Sequence, residues 1–372
     1  MRILHIAESV KGGCGTYINQ LARTQLADPT IEAVHAVLPD AHVEQIPDLP
    51  ASNRTLFASP RRSAKSLASL WSFTTAAIQA FKPDCIHLHS TFAGAIVRSG
   101  LRLRTDRPAM IYCAHGWSFD MEGSAARRRI MALTEQALSH CCEGIVAISE
   151  HERRRGEAIG IARKRLVTVL NGIEDVPAIS FPQSSPKRRI LFVGRLDRQK
   201  GFDILEAALQ GLSHQFDLRV IGTSVVNQQN GVAPSHPGMT SLGWCDQSRI
   251  REEMAAAECV IVPSRWEGFG LVAVEAMRTG RAVIASRVGG LPEVVEDNVT
   301  GWLVEPNNPR ALQEKLLGLS AEQLAQAGAA GRQRFENLFR LERMAGELKK
   351  VYRQAIAMRS PISHAFNLGV AA

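Results

Sequence analysis

Long apolar runs are what this 372-residue chain most clearly lacks. Its continuous apolar stretches, such as Ile145 to Ile148 and Cys259 to Pro263, are strand-sized and fall far short of the ~18 residues of a membrane-spanning helix. An integral membrane protein is not expected. The N-terminus, Met1-Arg2-Ile3-Leu4-His5-Ile6-Ala7-Glu8, reaches a glutamate before it can assemble the ~7–15-residue apolar core of a secretory signal. It reads as a first β-strand, and the expected location is cytoplasmic, at most peripheral on the inner face of the cytoplasmic membrane. A cysteine framework is also missing: the seven cysteines are odd in number and contain no C-x-x-C, so neither a disulfide framework nor a structural zinc site is expected. No repeat, low-complexity block or long charge run is present. The net charge of +8 and pI near 9.3 are spread evenly between the two halves of the chain, unlike the patch or stripe of a nucleic-acid footprint. Nucleic acid is therefore not an expected partner. A diffuse excess suits phosphate-bearing small substrates or an anionic membrane surface.

What is present suits a globular α/β protein, with 45% hydrophobic and 22% charged residues. At roughly 100–200 residues per domain, two domains are the natural count. The first half alternates β-rich runs (Ile3 to Ala7, Glu32 to Leu38, Asp84 to Leu88, Met110 to Cys113, Gly144 to Ile148) with helix-compatible stretches such as Thr16 to Leu26, which predicts a parallel sheet wrapped by helices. The segment Pro177 to Lys187, rich in proline, serine and lysine, reads as a linker. The alternation restarts at Arg189 to Gly194, with a helix from about Gly201 to Leu212 and strands at Asp217 to Gly222, Cys259 to Val262 and Ala282 to Ser286. From about Pro309 to Arg359 the chain is helix-forming, with breaks near Gly318 and Asn337, and the last dozen residues lack periodicity.

Three strand-to-helix turns carry candidate chemistry. In Pro263-Ser264-Arg265-Trp266-Glu267-Gly268-Phe269-Gly270-Leu271-Val272-Ala273-Val274-Glu275-Ala276-Met277, proline and two glycines force a turn, and the helix formers after it place a helix N-terminus at the strand's carboxyl end. Free N–H groups there form an anion site, and Glu267 and Glu275 approach one ligand from turn and helix. In Phe192-Val193-Gly194-Arg195-Leu196-Asp197-Arg198-Gln199-Lys200-Gly201-Phe202, Arg195 and Lys200 set a planar fork and a point charge against a diphosphate. Lys11-Gly12-Gly13-Cys14-Gly15-Thr16 lets backbone approach a ligand closely. Ligands of open α/β sheets bind at such carboxyl ends.

Taken in order, the glycine-rich first turn, G-R-L-x-x-x-K-G, E-G-F-G-L-x-x-x-E-A-M, Gly289-Gly290-Leu291-Pro292-Glu293 and Asn298-Val299-Thr300-Gly301-Trp302-Leu303-Val304 strongly resemble the GT-B retaining glycosyltransferases of family 4. The resemblance covers most of residues 1–355 and is tighter after Asn171-Gly172-Ile173. It implies a GT-B fold: two Rossmann-like, doubly wound α/β domains facing across a cleft, residues 1–180 for the acceptor and 186–344 for the donor, with a C-terminal helix at about 345–360 packing back on the first. It also implies that Arg195 and Lys200 clamp the donor pyrophosphate, Glu275 bonds the ribose hydroxyls and Glu267 the donor sugar. Gly268 belongs to the same turn, and the N–H groups of Phe269, Gly270, Leu271 and Val272 would hold sugar and phosphate. His115, in Ala114-His115-Gly116-Trp117, matches a histidine beside the donor sugar, Gly13 would lie under the diphosphate, and Trp244 would border the base. Catalysis would fall to Glu267, His115, Arg195 and Lys200. No cofactor and no metal is implied, since the nucleotide sugar is a co-substrate. The chain departs from the family in the loop Thr223-Ser224-Val225-Val226-Asn227, which lacks a second glycine, and in having Cys14-Gly15 where an acidic residue often stands.

The implied activity is retaining transfer of a hexosyl group from a nucleotide sugar, UDP-sugar before GDP-sugar, to a glycan or lipid-linked acceptor of a bacterial surface polysaccharide. The alternatives are a nucleotide-sugar epimerase, an NAD-dependent oxidoreductase, which the incomplete G-x-G-x-x-G disfavours, and a non-catalytic binder. His87-Leu88-His89 points two imidazoles to one face of a strand, but no third metal ligand of suitable spacing is evident. Trp244 is open to either core packing or base stacking. Arg61-Arg62-x-x-Lys65 with Leu67, Leu70 and Trp71 fits a helix lying on an anionic membrane, or one facing solvent.

Overall fold

Runs such as Arg2-Ile3-Leu4-His5-Ile6-Ala7 and Cys259-Val260-Ile261-Val262 are buried along nearly their whole length, the pattern of strands covered on both faces. In the computed structural model, which describes residues 1–59, 63–177, 187–223 and 238–359, they lie in two all-parallel sheets. The chain divides into two units, Met1–Glu174 with the chain from Leu341, and Asp175–Arg340.

The first unit runs β1 (Arg2–Ala7), α1 (Gly13–Leu26), β2 (Ala33–Pro39), β3 (Arg54–Phe57), α2 (Ala64–Phe81), β4 (Cys85–His89), α3 (Thr91–Leu101), β5 (Ala109–Cys113), α4 (Ala125–Leu138), β6 (Gly144–Ala147), α5 (Glu150–Ala158) and β7 (Leu166–Thr168). Its strand order is β3-β2-β1-β4-β5-β6-β7. The second runs β8 (Arg188–Val193), α6 (Phe202–Ala208), β9 (Phe216–Ile221), β10 (Met239–Gly243), α7 (Gln247–Ala256), β11 (Cys259–Val262), α8 (Leu271–Arg278), β12 (Ala282–Ser286), α9 (Leu291–Val294), β13 (Gly301–Val304), α10 (Pro309–Gly318) and α11 (Ala321–Leu338). Its order is β10-β9-β8-β11-β12-β13. In both sheets the chain reverses direction across the sheet beside the first strand, between β1 and β4 and between β8 and β11. Doubly wound sheets bind their ligands at the carboxyl ends of such a pair.

The last helix, α12 (Leu341–Arg359), packs on α1, β4 and β5 of the first unit. It buries Met344, Leu348, Val351 and Tyr352, and Lys349 bonds Asp28 at 2.6 Å. Neighbouring residues at the border between the units are anchored differently: Glu174 pairs with Arg23 of α1 at 2.6 Å, whereas Asp175 receives both Nη atoms of Arg332 from α11, at 2.6 and 2.8 Å.

The first unit buries an ion pair between two of its helices. Arg98 on α3 donates to Glu135 on α4 at 2.6 Å, Tyr112 of β5 donates to the same carboxylate at 2.8 Å, and the Arg98 guanidinium lies 3.8 Å from the Tyr112 ring centre. The helix suggested for a membrane surface has two of its three named apolar residues turned to the protein. On α2, Leu70 is fully buried and Trp71 packs on the α3 backbone at Gly100, because α3 needs a cover on that side of the sheet. Arg61 and Arg62 lie outside the described residues, as do most of the linker segment, residues 224–227 of the loop after Gly222, and the last dozen residues.

Candidate active site

The turn after β11 and the loop after β8 meet at the switch point of the second sheet. Arg265 N–H donates to the Gln199 carbonyl at 2.8 Å, and its guanidinium spans the Arg198 carbonyl, both Asp203 carboxylate oxygens at 2.8 and 2.6 Å, and Asn307. One arginine thus fixes the basic loop to the glycine turn through a bidentate, charge-assisted pair. From the other side the Gly289-Gly290 segment approaches so closely that a Cβ on Gly289, at φ 55°, would stand 1.8 Å from the Glu267 carbonyl oxygen. Only glycine fits this left-handed position without strain. Gly290 N–H then donates to that same carbonyl at 3.1 Å.

Within this frame Gly268, Phe269 and Gly270 lead into α8. Gly270, left-handed at φ 104°, is its N-cap. The N–H groups of Leu271 and Val272 open the helix, where no intrahelical acceptor is available, so they and the positive dipole end face the switch point. Glu275 sits on the second turn, buried. Burial raises its pKa, opposed by the charge of Arg278, and among the described residues no hydrogen bond reaches its carboxylate. An enclosed carboxylate with open acceptor sites suits hydroxyl donors.

The two cations expected to act as a free clamp are compensated. Lys200 Nζ lies 2.5 Å from Glu267 Oε2, and Arg195 pairs with Asp197 at 2.8 Å and donates to Gln199 at 2.7 Å. The reason is local: Asp197 also accepts the Lys200 N–H at 3.1 Å, closing the loop on itself. The net positive field therefore comes from the helix end, and Lys200 would reach an anion only in competition with Glu267. Trp244, just past β10, is 59% exposed, which removes the core-packing reading and leaves an aromatic face open at the carboxyl edge.

In the first unit, Gly13 is the first residue of α1, after Gly12 at φ 71°, and His115 follows β5 in the left-handed region at φ 54°. A non-glycine residue there is uncommon and stores strain. His115 is held by its ring: Nε2 lies 2.9 Å from His89 Nδ1, Nδ1 lies 3.7 Å from Cys113 Sγ, and Tyr17 meets it edge-on at 4.7 Å. Burial lowers its pKa to about 4, so it is a neutral imidazole at physiological pH. The structure joins Arg195, Lys200, Glu267 to Val272 and Glu275 in the second unit, and Gly13 and His115 belong to the first.

Two family models match the chain. Residues 12–172 match a glycosyl transferase 4-like domain and residues 187–322 match glycosyl transferases group 1. The chain belongs to the group 1 glycosyltransferases. A relative from Klebsiella pneumoniae, an uncharacterized 41.2 kDa protein in the cps region, is 30% identical over 95% of this chain and 99% of its own. A D-inositol 3-phosphate glycosyltransferase of Xylanimonas cellulosilytica is 36% identical over 49% of this chain and 45% of that protein. Among solved structures, sucrose-phosphate synthase from Thermosynechococcus elongatus superposes with a TM-score of 0.80 at 22% identity, covering 96% and 99% of the two chains. Anabaena HepE in complex with UDP gives 0.75 at 19%, covering 94% and 99%. The fold is that of the GT-B glycosyltransferases.

The reading of the histidine pair in this glycosyltransferase needs a correction, because a third histidine joins it. Strand β1 lies beside β4 with His5 opposite His87, so His5, His87 and His89 form one fully buried cluster. The signal was available in the doubly wound order itself, which makes the first and fourth strands neighbours. Gln25, Tyr17 and Tyr352, which surround the cluster, carried no sequence signal.

Proposed function

We propose that this glycosyltransferase moves a hexosyl group, with retention and without a metal ion, from a nucleotide sugar, UDP-linked before GDP-linked, to a glycan or lipid-linked acceptor in bacterial surface polysaccharide synthesis. The observation that carries the reading is the switch-point site of the second unit: Lys200 and Arg195 beside a helix N-terminus, with the buried, unengaged Glu275 carboxylate on the same helix. A nucleoside diphosphate presents the matching groups. Its phosphates take Lys200, Arg195 and the Leu271 and Val272 N–H groups, its ribose hydroxyls donate to Glu275, and Trp244 borders the base.

As the glycosidic bond breaks, negative charge grows on the leaving diphosphate, and preorganised cations and N–H dipoles stabilise it more in the transition state than in the ground state. Lys200 shifts from Glu267 to phosphate, which frees Glu267 to accept from donor-sugar hydroxyls. Retention follows from attack on the face the diphosphate leaves, the departing phosphate taking the acceptor's proton. Neutral His115 and Gly13 are assigned to substrate contacts of the first unit, which we assign to the acceptor. The UDP preference leans on HepE, solved with UDP and with UDP-glucose, and the polysaccharide role on the cps-region relative.

Peripheral membrane association is supported by α4, where Ile130 and Leu133 are 58% and 54% exposed beside Arg127, Arg128 and Arg129. No helix among the described residues is long and apolar enough to cross a membrane. The test is incubation with UDP-, GDP- and ADP-sugars and a glycolipid acceptor fraction in chelator, reading nucleoside diphosphate release and the product's anomeric configuration by NMR. An α-linked product from an α-linked donor is expected. Inversion, an absolute need for a divalent ion, or isomerised donor without acceptor would overturn the reading.

A further inference from the structure

We propose that His5, His87 and His89 form a buried binding site for one zinc-class divalent cation inside the first unit. The three imidazoles come from adjacent strands, β1 and β4, and all are fully buried. One ring nitrogen from each lies within 4.8 Å of the other two.

The outward nitrogens are all engaged. His5 Nε2 lies 2.7 Å from Gln25 Oε1, His87 Nδ1 lies 2.7 Å from the Tyr352 hydroxyl, and His89 Nδ1 lies 2.9 Å from His115 Nε2. That is the arrangement metal-binding histidines need: with the ion bound, the nitrogen away from it donates to an outer acceptor, and the inner lone pair goes to the ion. The inner set is then His5 Nδ1, His87 Nε2 and His89 Nε2. The first and last of these are hydrogen-bonded at 2.9 Å; the ion displaces the proton of that bond and spreads the pair toward the roughly 3.4 Å between ligand nitrogens of a tetrahedral zinc ion.

A second observation is independent of the spacing. His87 Nε2 is buried with no hydrogen-bond partner among the described residues, as is the hydroxyl of Tyr17, whose ring stands edge-on to His87 and His89 at 6.3 and 5.7 Å. Orphaned buried polar atoms are rare because each forfeits its solvation without return, and two at one histidine cluster point to an occupant. A set of neutral imidazoles selects zinc and its neighbours cobalt and nickel over magnesium or calcium. The ion ties β1, β4 and, through Tyr352, α12 together, and it holds the His89 Nδ1–H on His115 Nε2. Its role is structural and separate from diphosphate chemistry.

The purified full chain, stripped with chelator, is titrated with cobalt(II) chloride and then with zinc chloride. The expected result is visible d–d absorption of four-coordinate cobalt, saturating at one equivalent and bleached by zinc. His87→Gln should abolish it, Gln25→Ala should weaken zinc binding about 10- to 100-fold, and His42→Gln, at an exposed histidine, should leave it unchanged. Circular dichroism and a thermal melt of each variant report whether it is folded. Zinc-edge X-ray absorption on the wild-type chain should show imidazole scatterers at about 2.0 Å, a readout that needs no variant. Absence of one-equivalent binding, bands that survive His87→Gln, or a zinc shell of water oxygens would overturn the proposal, the first leaving a buried water as the occupant.

Discussion

Replacing Lys200 by alanine perturbs two things at once. It removes the ammonium that an anion would recruit, and it strips Glu267 of its partner 2.5 Å away, in a site where the two side chains are only 22% and 13% exposed. A hydrogen bond to a charged group contributes about 1.5–3 kcal/mol. An unpaired carboxylate about 5 Å from a phosphate, at an effective dielectric of about 20, repels it by up to about 3 kcal/mol. Solvent screening reduces the second figure, so we expect nucleoside diphosphate affinity to fall about 100-fold or more in Lys200→Ala. The same pair predicts the opposite sign for Glu267→Gln. With no carboxylate to leave, Lys200 engages phosphate more readily, and a diphosphate without its sugar should bind about 10-fold tighter, while transfer from the intact nucleotide sugar falls. The double variant should bind better than Lys200→Ala alone, a coupling that calorimetry reads directly as a double-mutant cycle. Lys200→Ala binding within about twofold of wild type, or Glu267→Gln weakening binding as much as Lys200→Ala, would show that Lys200 does not exchange Glu267 for phosphate.

Other expectations follow from particular contacts. Arg98→Met leaves Glu135 buried without its cation and should cost about 3–5 kcal/mol in chemical denaturation, whereas a loss under about 1 kcal/mol would show that the pair is not a buried, mutually dependent one. Gly289→Ala drives a Cβ into the Glu267 carbonyl and should lower transfer activity more than overall stability, read by comparing turnover with the denaturation midpoint. Glu152 is buried and accepts from the N–H groups of Gly116 and Ile148 at 2.7 Å each, yet desolvation raises its pKa from 4.5 to about 7. The folded state then holds a proton that the unfolded chain has released. Stability present below pH 4.5 is lost as the pH rises toward 7 and levels off above it, by about 3 kcal/mol, and Glu152→Gln should flatten that slope between pH 5 and 8. Changing Ile130 and Leu133 to serine should reduce sedimentation with anionic vesicles and leave nucleoside diphosphate binding intact, and unchanged sedimentation would remove α4 from the membrane account.

Much of the fold was legible because buried parallel strands write themselves as short β-branched runs. Cys259 to Val262 and Ala282 to Ser286 coincide with β11 and β12, and the breaks near Gly318 and Asn337 separate α10, α11 and α12. Strands β3, β7 and β13, of four, three and four residues, are too short to show a period, and β10 is half exposed at a sheet edge. At the site, motif order located Arg195, Lys200, Glu267 and Glu275, but chemistry between side chains far apart in the chain is a property of packing. The Lys200–Glu267 pair joins residues 67 apart, and no local pattern says that the clamp's charges are already matched. The histidine cluster shows the same limit: His87 and His89 are read from one strand, and His5 joins them only once β1 is laid beside β4.

On the proposed function, the switch point of the second unit binds a nucleoside diphosphate through Lys200 and Glu275. The most direct measurement is calorimetric titration of the purified chain, in chelator, with UDP, GDP, ADP and NAD, repeated with the best ligand on Glu275→Ala. One nucleoside diphosphate, with UDP expected, should bind selectively and lose most of its affinity in the variant. Binding of NAD alone, of no nucleotide, or equal binding by Glu275→Ala would contradict it.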